Sequence, residues 1–422
     1  MLEKLKRLYN KDDFDYSTGQ VDPYKFHSTF YFIMKAFTVI DEPIPKWRYV
    51  LNFKLHCGIL DKKMFAVFFA AVSTFHGIVL LDISITTEAG VYCIVLIYKL
   101  LILTCTQLDK AHYHCFLRFL REDFRYVCAE GAKYRERFFE NQLETWKVSL
   151  CSVIFTFGIA VGMSSFALLS LFFYLMTRTP GDGSQRPLLV PFWFWDLDFG
   201  KTPIYEIALN FSNFCFVTYA YNYVFMIQTQ VVWVRQIATK ADLVIWAIED
   251  LLQDINPATN EEEKAHYAEL IKYRMREIVS QHHSILMEAY AGVYKKLLMF
   301  EQKLCGPVVC LTAYCTAEKL DEGEFNAILV LLCIATVTLV YIPCYLCTFL
   351  GLKVRSVSDA CWNISFWNAG REIRPYLVLI MQRSLRPLPL QAPGFEEISI
   401  QTFSTKMTNA YSLFNMLRQT SI

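Results

Sequence analysis

The chain has 422 residues, of which 54% are hydrophobic and 16% are aromatic, and its formal net charge at pH 7 is +1. Its mean hydropathy of +0.28 excludes an ordinary soluble protein of this size, because the apolar residues lie in long runs rather than in alternating patterns. The net charge by itself excludes no class of protein, so the positions of the charges carry more information than their sum.

Six segments are apolar and long enough to be membrane-spanning helices, which need about 20 mostly apolar residues to cross the hydrocarbon core. They are Met64–Leu81, Ala89–Thr106, Val148–Met176, Ile207–Val234, Leu297–Ala317 and Phe325–Leu352. A seventh segment, Ile398–Leu417, is amphipathic rather than uniformly apolar. The sequence therefore predicts an all-α membrane protein with seven transmembrane helices.

Basic residues are distributed unevenly between the connecting segments. Segments 1–63, 107–147, 228–300 and 351–397 hold 33 Lys and Arg, whereas segments 82–88, 177–203, 318–324 and 420–422 hold 4. Because Lys and Arg stay on the cytosolic side, this bias predicts a cytosolic N-terminus and, with seven spans, an extracellular C-terminus. That topology is the inverse of a G-protein-coupled receptor.

The cytosolic segments have helical patterns. In His112–Trp146 and Lys240–Lys296, charged and apolar residues alternate at helical spacing, which predicts helical extensions of the spans. Residues Asn256–Asn260 contain the one clear break among them. The chain is thus expected to form a single domain, 1–422, with a cytosolic N-terminal segment, 1–63.

The last predicted helix has a polar stripe. Pro387, Pro389, Pro393 and Gly394 interrupt the helix before it. One face then carries small polar side chains and one methionine: Thr405, Asn409, Ser412, Met416 and Gln419. The opposite face is mostly apolar: Phe403, Met407, Ala410, Phe414 and Leu417. Such a stripe either forms hydrogen bonds to other helices of the bundle or lines water. We favour the second interpretation, with 398–419 as a pore helix and Met416 as a hydrophobic gate.

The C-terminal third resembles the signature of insect odorant receptors. The matching residues are Trp367-Asn-Ala-Gly-Arg371, Gln382-Arg-Ser384, Arg386-Pro387-Leu388 and Ala410-Tyr-Ser-Leu-Phe414. The chain length, the seven spans and the inverted topology also resemble this family. The polar Asn415 and Arg418 in the final turns depart from the family's shared co-receptor, so the chain is similar to a variable, ligand-tuned subunit.

The resemblance implies a function. Members of the family form tetrameric, non-selective cation channels in the plasma membrane of olfactory sensory neurons, and most pair a variable subunit with the co-receptor in a heterotetramer. The last helix lines the pore, and a small volatile ligand binds in the outer half of the helix bundle. Besides the co-receptor and the ligand, membrane lipid is the expected partner, and no nucleic acid is expected.

Topology then selects candidate pocket residues, because a small apolar ligand needs an aromatic and aliphatic pocket with few polar groups. The candidates in the outer half of the spans are Tyr92, Val95, Met163, Phe166, Ser170, Phe173, Tyr205, Leu209, Leu329 and Leu332. Lys99 lies in the second span, where a charged side chain is a functional candidate. We favour the alternative, in which its long stem extends to the cytosolic interface.

Other functions remain as alternatives. They are a metabotropic seven-transmembrane chemoreceptor, a gustatory-type receptor channel and a transporter. The sequence has no phosphate-binding loop, nucleophile motif or metal-ligand spacing, so no enzyme activity, cofactor or metal is expected. Cys344 and Cys347 lie in an apolar span, where two buried thiols are a simpler interpretation than a metal or redox pair.

Overall fold

The computed structural model describes residues 23–37, 66–80, 82–177, 197–253, 261–290, 295–323, 325–364, 373–386 and 397–420, with positions 186, 188, 190, 193, 194 and 388. The regular secondary structure within these residues is entirely helical. Asn256–Asn260 lie outside the described residues, and so do Pro387, Pro389, Pro393 and Gly394.

Twelve helices follow one another along the described residues. The first six are α1 (Pro23–Phe26), α2 (Ser28–Ala36), α3 (Ala66–Leu80), α4 (Ile83–Leu108), α5 (Lys110–Ala129) and α6 (Ala132–Thr177). The last six are α7 (Ile204–Glu249), α8 (Glu261–Tyr290), α9 (Lys295–Asp321), α10 (Ala327–Asn363), α11 (Arg374–Ser384) and α12 (Ile400–Thr420).

Each predicted span corresponds to one helix: α3, α4, α6, α7, α9, α10 and α12. Among the described residues, α4, α6 and α10 are long and apolar enough to cross a membrane on those grounds alone. The described part of α3 is shorter, α7 and α9 contain more polar residues, and α12 is amphipathic, as the sequence predicts.

Two helices are much longer than a membrane is thick. α6 and α7 each have 46 residues, so each is about 69 Å long, against roughly 30 Å for the hydrocarbon core. Their charged ends, at the start of α6 and the end of α7, must therefore project beyond the membrane. The predicted helical extensions of the spans are present.

Helix α7 contributes more buried residues to the main core than its neighbours do. Nearly every side chain from Asn222 to Val244 is buried, in the large core that α7 forms with residues of several other helices. This core lies toward the end of the bundle where the helical extensions are. A separate, smaller apolar cluster occupies the other half of the bundle, and it is the candidate site described below.

Local sequence signals fix where the spans begin at that other end. The Asp82 side chain accepts a hydrogen bond from the backbone N–H of Ile85 and caps α4. Asn326 caps α10 in the same way. At Gly77, an added Cβ would lie only 2.6 Å from the Thr86 hydroxyl, so glycine allows α3 to pack directly on the first turn of α4.

Candidate functional site

The second core joins five helices in the half of the bundle away from the helical extensions. Its fully buried members are Val91, Tyr92, Met163, Ala167, Val190, Phe216, Val308 and Leu332. We call these eight residues, with the partly buried side chains that pack on them, the five-helix cluster, because α4, α6, α7, α9 and α10 contribute to it. Such a cluster offers a small ligand dispersion contacts and few polar groups.

Five of the ten candidate pocket residues lie together in this cluster. Tyr92, Met163 and Leu332 are buried in it, and Val95 and Leu209 pack against it. The Tyr92 ring packs edge-on against Phe216, with the centroids 6.3 Å apart. Phe216 was not among the sequence candidates, although it lies two turns beyond Leu209 on the same helix and its spacing could have indicated it.

Two more candidates are buried outside the cluster. Leu329 packs with Tyr314 and Cys315 against the end of α12. Tyr205 is 2% exposed, and the Arg186 guanidinium lies 5.2 Å from its ring centroid. The structure therefore associates Leu329 with the last helix rather than with the five-helix cluster.

Three candidates face outward, which corrects the sequence-based assignment. Phe166 and Phe173 are 42% and 63% exposed, and Ser170 is also exposed. On α6 the inward positions are Met163 and Ala167, one turn apart. Phe166, Ser170 and Phe173 follow one another at helical spacing on a different side of α6, which a membrane would cover with lipid.

A narrow apolar crevice continues from the cluster between α6, α7 and α10. A water-sized sphere can occupy ≈ 40 Å³ of it, so a ligand larger than a few atoms requires side chains to move. Met163, Phe216 and Leu332 belong to both the cluster and the crevice. The other lining residues include Phe155, Ile159, Tyr219, Tyr223, Thr338 and Ile342.

Lys99 lies inside the bundle, which corrects the prediction that its side chain extends to the interface. It is 0% exposed. Its ammonium donates hydrogen bonds to the carbonyl of Cys215 at 2.9 Å and to the hydroxyl of Thr218 at 2.6 Å. Both acceptors are on α7, so Lys99 ties α4 to the central helix.

Both Cys344 and Cys347 are buried free thiols.

The last helix packs through its apolar face. Ala410 is buried against Val309 and Cys310 of α9, and Met407, Phe414 and Leu417 pack in the same contact regions. The five stripe residues, Thr405, Asn409, Ser412, Met416 and Gln419, are all exposed. The hydroxyls of Thr405 and Ser412 donate to carbonyls of α12 itself, at 3.1 and 3.0 Å. Within this chain, the stripe faces away from the bundle.

Polar contacts connect both ends of α12 to α9. At one end, the Lys406 ammonium donates to the backbone carbonyl of Gln302 at 3.0 Å and to its side-chain oxygen. At the other end, Arg418 forms an ion pair with Asp321. Helix α9 therefore contacts α12 along most of its length, while Val308 of the same helix lies in the five-helix cluster.

The chain is similar in fold to solved insect olfactory receptors. It superposes on the structure of olfactory receptor OR5 from Machilis hrabei with a TM-score of 0.67 and 13% identity, covering 94% of this chain and 100% of that one. The structure of the same receptor in complex with eugenol gives a TM-score of 0.64 and 12% identity, covering 93% and 98%. The seven-helix membrane architecture predicted from the sequence is thus confirmed.

Sequence comparison also finds similarity to odorant receptors. Odorant receptor 85f of Drosophila melanogaster is 25% identical over 190 residues, 44% of this chain and 47% of that receptor. Odorant receptor 67c of the same species is 24% identical over 246 residues, 57% of this chain and 54% of that receptor. The chain thus spans about half the length of these relatives. The 7tm odorant receptor family model matches residues 87–411. Since this match covers most of the chain, the protein belongs to the seven-transmembrane odorant receptor family.

Proposed function

We propose that this protein is the ligand-tuned subunit of an odorant-gated, non-selective cation channel, whose pore is lined by α12. The observation that carries the proposal is the exposed stripe of Thr405, Asn409, Ser412, Met416 and Gln419. In a membrane protein, small polar side chains facing away from their own bundle are costly unless they face water or a neighbouring subunit. An ion pathway between subunits would provide both the water and the neighbouring subunits.

The ligand of this channel is a small, mostly apolar volatile molecule that binds in the five-helix cluster. The cluster's aromatic and aliphatic side chains support this class of ligand, with the Tyr92 hydroxyl as a polar group beside it. Because the crevice is narrow, we expect side chains to move when the ligand binds, rather than a pocket that is already open. Such a ligand opens the channel only if it binds the open state more tightly, since equal affinity for both states shifts no population.

Helix α9 provides the connection between ligand and pore. Val308 belongs to the five-helix cluster, and the next two residues, Val309 and Cys310, pack against Ala410 of α12. A ligand that displaces Val308 also displaces the surface on which the pore helix rests. Packed helices respond to such displacements by switching between discrete arrangements rather than by bending continuously.

Each chain supplies one such helix, so the pore requires several chains around a common axis. We assign the additional subunits to the shared odorant co-receptor, in a heterotetramer in the plasma membrane of olfactory sensory neurons. The exposed apolar side chains of α6, among them Val161, Leu168 and Phe172, then face membrane lipid.

The N-terminus is assigned to the cytosol by the excess of 33 over 4 basic residues in the connecting segments. An epitope tag at the N-terminus is therefore expected to be inaccessible to antibody on intact cells, and a tag after Ile422 accessible. Permeabilised cells, in which both tags must stain, provide the control. The reverse pattern on intact cells contradicts the assignment.

Ligand ranking and ion permeability should be separable by mutation. In cells that also express the co-receptor, Tyr92→Phe or Phe216→Leu is expected to change the relative sensitivity to a panel of volatiles by about fivefold, because each changes contacts of about 1 kcal/mol in the cluster. Gln419→Ala is expected to change relative cation permeability while preserving that order. Reversal potentials and dose–response curves measure the two effects.

The same recordings test the subunit assignment. Cells that express this chain without the co-receptor are expected to give little or no evoked current. Robust current from the chain alone contradicts its role as a tuning subunit. Equal effects of the cluster and stripe variants on both readouts contradict the separation of pocket and pore.

A further inference from the structure

A second cavity lies at the opposite end of the bundle, where α10 leaves the predicted membrane region. It is bounded by α10, by the end of α11 and by the residues that lead into α12, and its volume is ≈ 300 Å³. That volume is within the usual range for a small-ligand site. Its polar lining consists of Thr348, Arg355, Ser384, Arg386, Glu397 and Ser399.

Two guanidinium groups are available to an occupant of this cavity. Arg355 and Arg386 are exposed, and neither guanidinium forms an ion pair or a hydrogen bond with a described residue. The neighbouring Lys353, in contrast, is paired with Asp242 at 2.8 Å. Glu397 is the single carboxylate among the described lining residues, so the lining has a net charge of +1.

The hydroxyl groups of the lining already have structural roles. Thr348 accepts a hydrogen bond from the backbone N–H of Ile400 at 3.0 Å. Ser399 accepts one from Thr402 at 3.2 Å, and Ser384 lies 3.1 Å from the ring nitrogen of His282. The guanidiniums are therefore the lining's uncommitted strong donors, and they define the chemistry of the occupant.

The position of the cavity indicates what that occupant is. Leu352, the last residue of the predicted sixth span, lines it together with Arg355, so the cavity opens at the depth of the lipid headgroups. At this depth, Arg binds phosphate oxygens through two parallel N–H donors, a geometry that an ammonium lacks. A phosphate monoester carries up to two negative charges and fits two guanidiniums better than a phosphodiester does.

We propose that the cavity is a binding site for a phosphate monoester, held by Arg355 and Arg386. The source of the phosphate is either the headgroup of a phosphorylated lipid or a soluble phosphate compound. An occupant contacts α10 through Arg355, the residues just after α11 through Arg386, and the residue just before α12 through Ser399. Occupancy therefore links the position of α12 to the chemistry of the membrane surface, independently of the five-helix cluster.

Direct binding tests the site. The full-length chain in neutral detergent is titrated with phosphatidylinositol 4-phosphate, with phosphatidylserine, or with soluble inositol 1-phosphate, and the retained molecules are counted by native mass spectrometry. Arg355→Gln and Arg386→Gln are each expected to weaken binding by about tenfold or more, because each removes charge-assisted hydrogen bonds. Arg355→Lys keeps the charge but loses the paired donors, so it should bind with intermediate affinity.

Arg125→Gln is the matched control, since Arg125 is an exposed arginine of α5 that does not line the cavity. Tighter binding of the phosphorylated lipid assigns the site to a headgroup, and equal binding of inositol 1-phosphate assigns it to a soluble phosphate. Binding of phosphatidylserine as tight as that of phosphatidylinositol 4-phosphate overturns the proposal. So does binding that Arg355→Gln and Arg386→Gln leave unchanged, or that Arg125→Gln weakens equally.

Discussion

At the residue scale, a buried carboxylate orients a chain of hydrogen bonds that reaches the N-terminal helices. Asp123 accepts hydrogen bonds from Lys240 at 2.6 Å and from Gln236 at 2.7 Å. Gln236 must then present its oxygen to the Gln142 amide, at 2.8 Å, and Gln142 its oxygen to His27, also at 2.8 Å. His27 therefore has to donate from Nε2, and when it is neutral it is the Nε2–H tautomer.

The burial of His27 at the end of this series of hydrogen bonds predicts that docking of the N-terminal helices depends on pH. Burial lowers the pKa of His27 from 6.5 to about 4. Because the pKa of His27 is lower in the folded state, its contribution to the stability of the docked helices is complete above pH 6.5 and is lost as the pH falls toward 4. At pH 5 the loss is roughly 2 kcal/mol. Hydrogen exchange of residues 23–37, corrected for the intrinsic effect of pH, is therefore expected to be faster at pH 5 than at pH 7.

His27→Gln is the matched control, because its amide can still donate to Gln142 but does not titrate. The pH dependence of exchange should disappear in this variant. If wild type and variant show the same pH dependence, another group is responsible. His282, whose pKa burial also lowers to about 4, is the first alternative, and exchange near Ser384 would reveal it.

Lys99 shows what residue type alone could not decide. Its position in an apolar span was evident, but whether its ammonium meets water or protein depends on which helix lies beside it. The carbonyl of Cys215 and the hydroxyl of Thr218 come from 116 and 119 positions further along the chain. A contact of that sequence separation follows from helix packing and not from local pattern.

At the element scale, the sequence predicts which face of a helix packs inward only where the helix is amphipathic. The polar stripe of α12 fixed its rotation, and the structure places the predicted apolar residues Met407, Ala410, Phe414 and Leu417 against the bundle. The predicted span within helix α6, Val148–Met176, is apolar all round, with Val161, Leu168, Leu169 and Phe172 exposed as well. Its sequence cannot distinguish lipid from protein, and for this reason the positions of Phe166, Ser170 and Phe173 were predicted wrongly.

The two ends of α12 differ in how firmly they are attached. The Arg418–Asp321 pair is exposed, with side chains 43% and 63% accessible, and exposed pairs contribute about 0–1 kcal/mol. The Lys406 contacts to Gln302 are partly buried, where hydrogen bonds to charged groups are stronger. These two polar contacts therefore hold the Lys406 region more firmly than the Arg418 end, and we expect the Arg418 end to move more on opening of the proposed channel.

Met416 is expected to act as the gate at that movable end. It is 54% exposed in one subunit, and several copies around an axis form an apolar constriction that excludes water. Met416→Ser should raise resting current or lower the ligand concentration needed for half-maximal response, because the hydroxyl allows the constriction to hydrate. Whole-cell recording measures both quantities.

The control for the gate is Tyr411→Ser, at another exposed position of α12 that lies off the stripe. It is expected to leave resting current unchanged. In a heteromer the effect of Met416→Ser is partial, since the co-receptor copies keep their own side chains. Equal effects of both substitutions, or no effect of Met416→Ser, would remove Met416 from the gate.

At the scale of the whole molecule, hydropathy predicted the number and order of the membrane helices, because it is a property of consecutive residues. The orientation that the charge distribution predicts stays a prediction. Five of the ten candidate pocket residues, Tyr92, Val95, Met163, Leu209 and Leu332, lie together in the five-helix cluster, and their contact with a ligand stays a prediction. The cavity beside Arg355 has no sequence signature, since its described walls come from three separate stretches of the chain, within 347–355, 384–388 and 397–399.

The central claim is that α12 lines the ion pathway, and cysteine accessibility along 405–419 tests it most directly. Single cysteines are introduced at each position and treated with a charged thiol reagent during ligand application. We predict rapid modification that reduces current at positions 405, 409, 412, 416 and 419, and slow modification at positions 407, 410, 414 and 417. Reactivity spread evenly around the helix, or absent while the channel is open, would place the pore elsewhere and contradict the account.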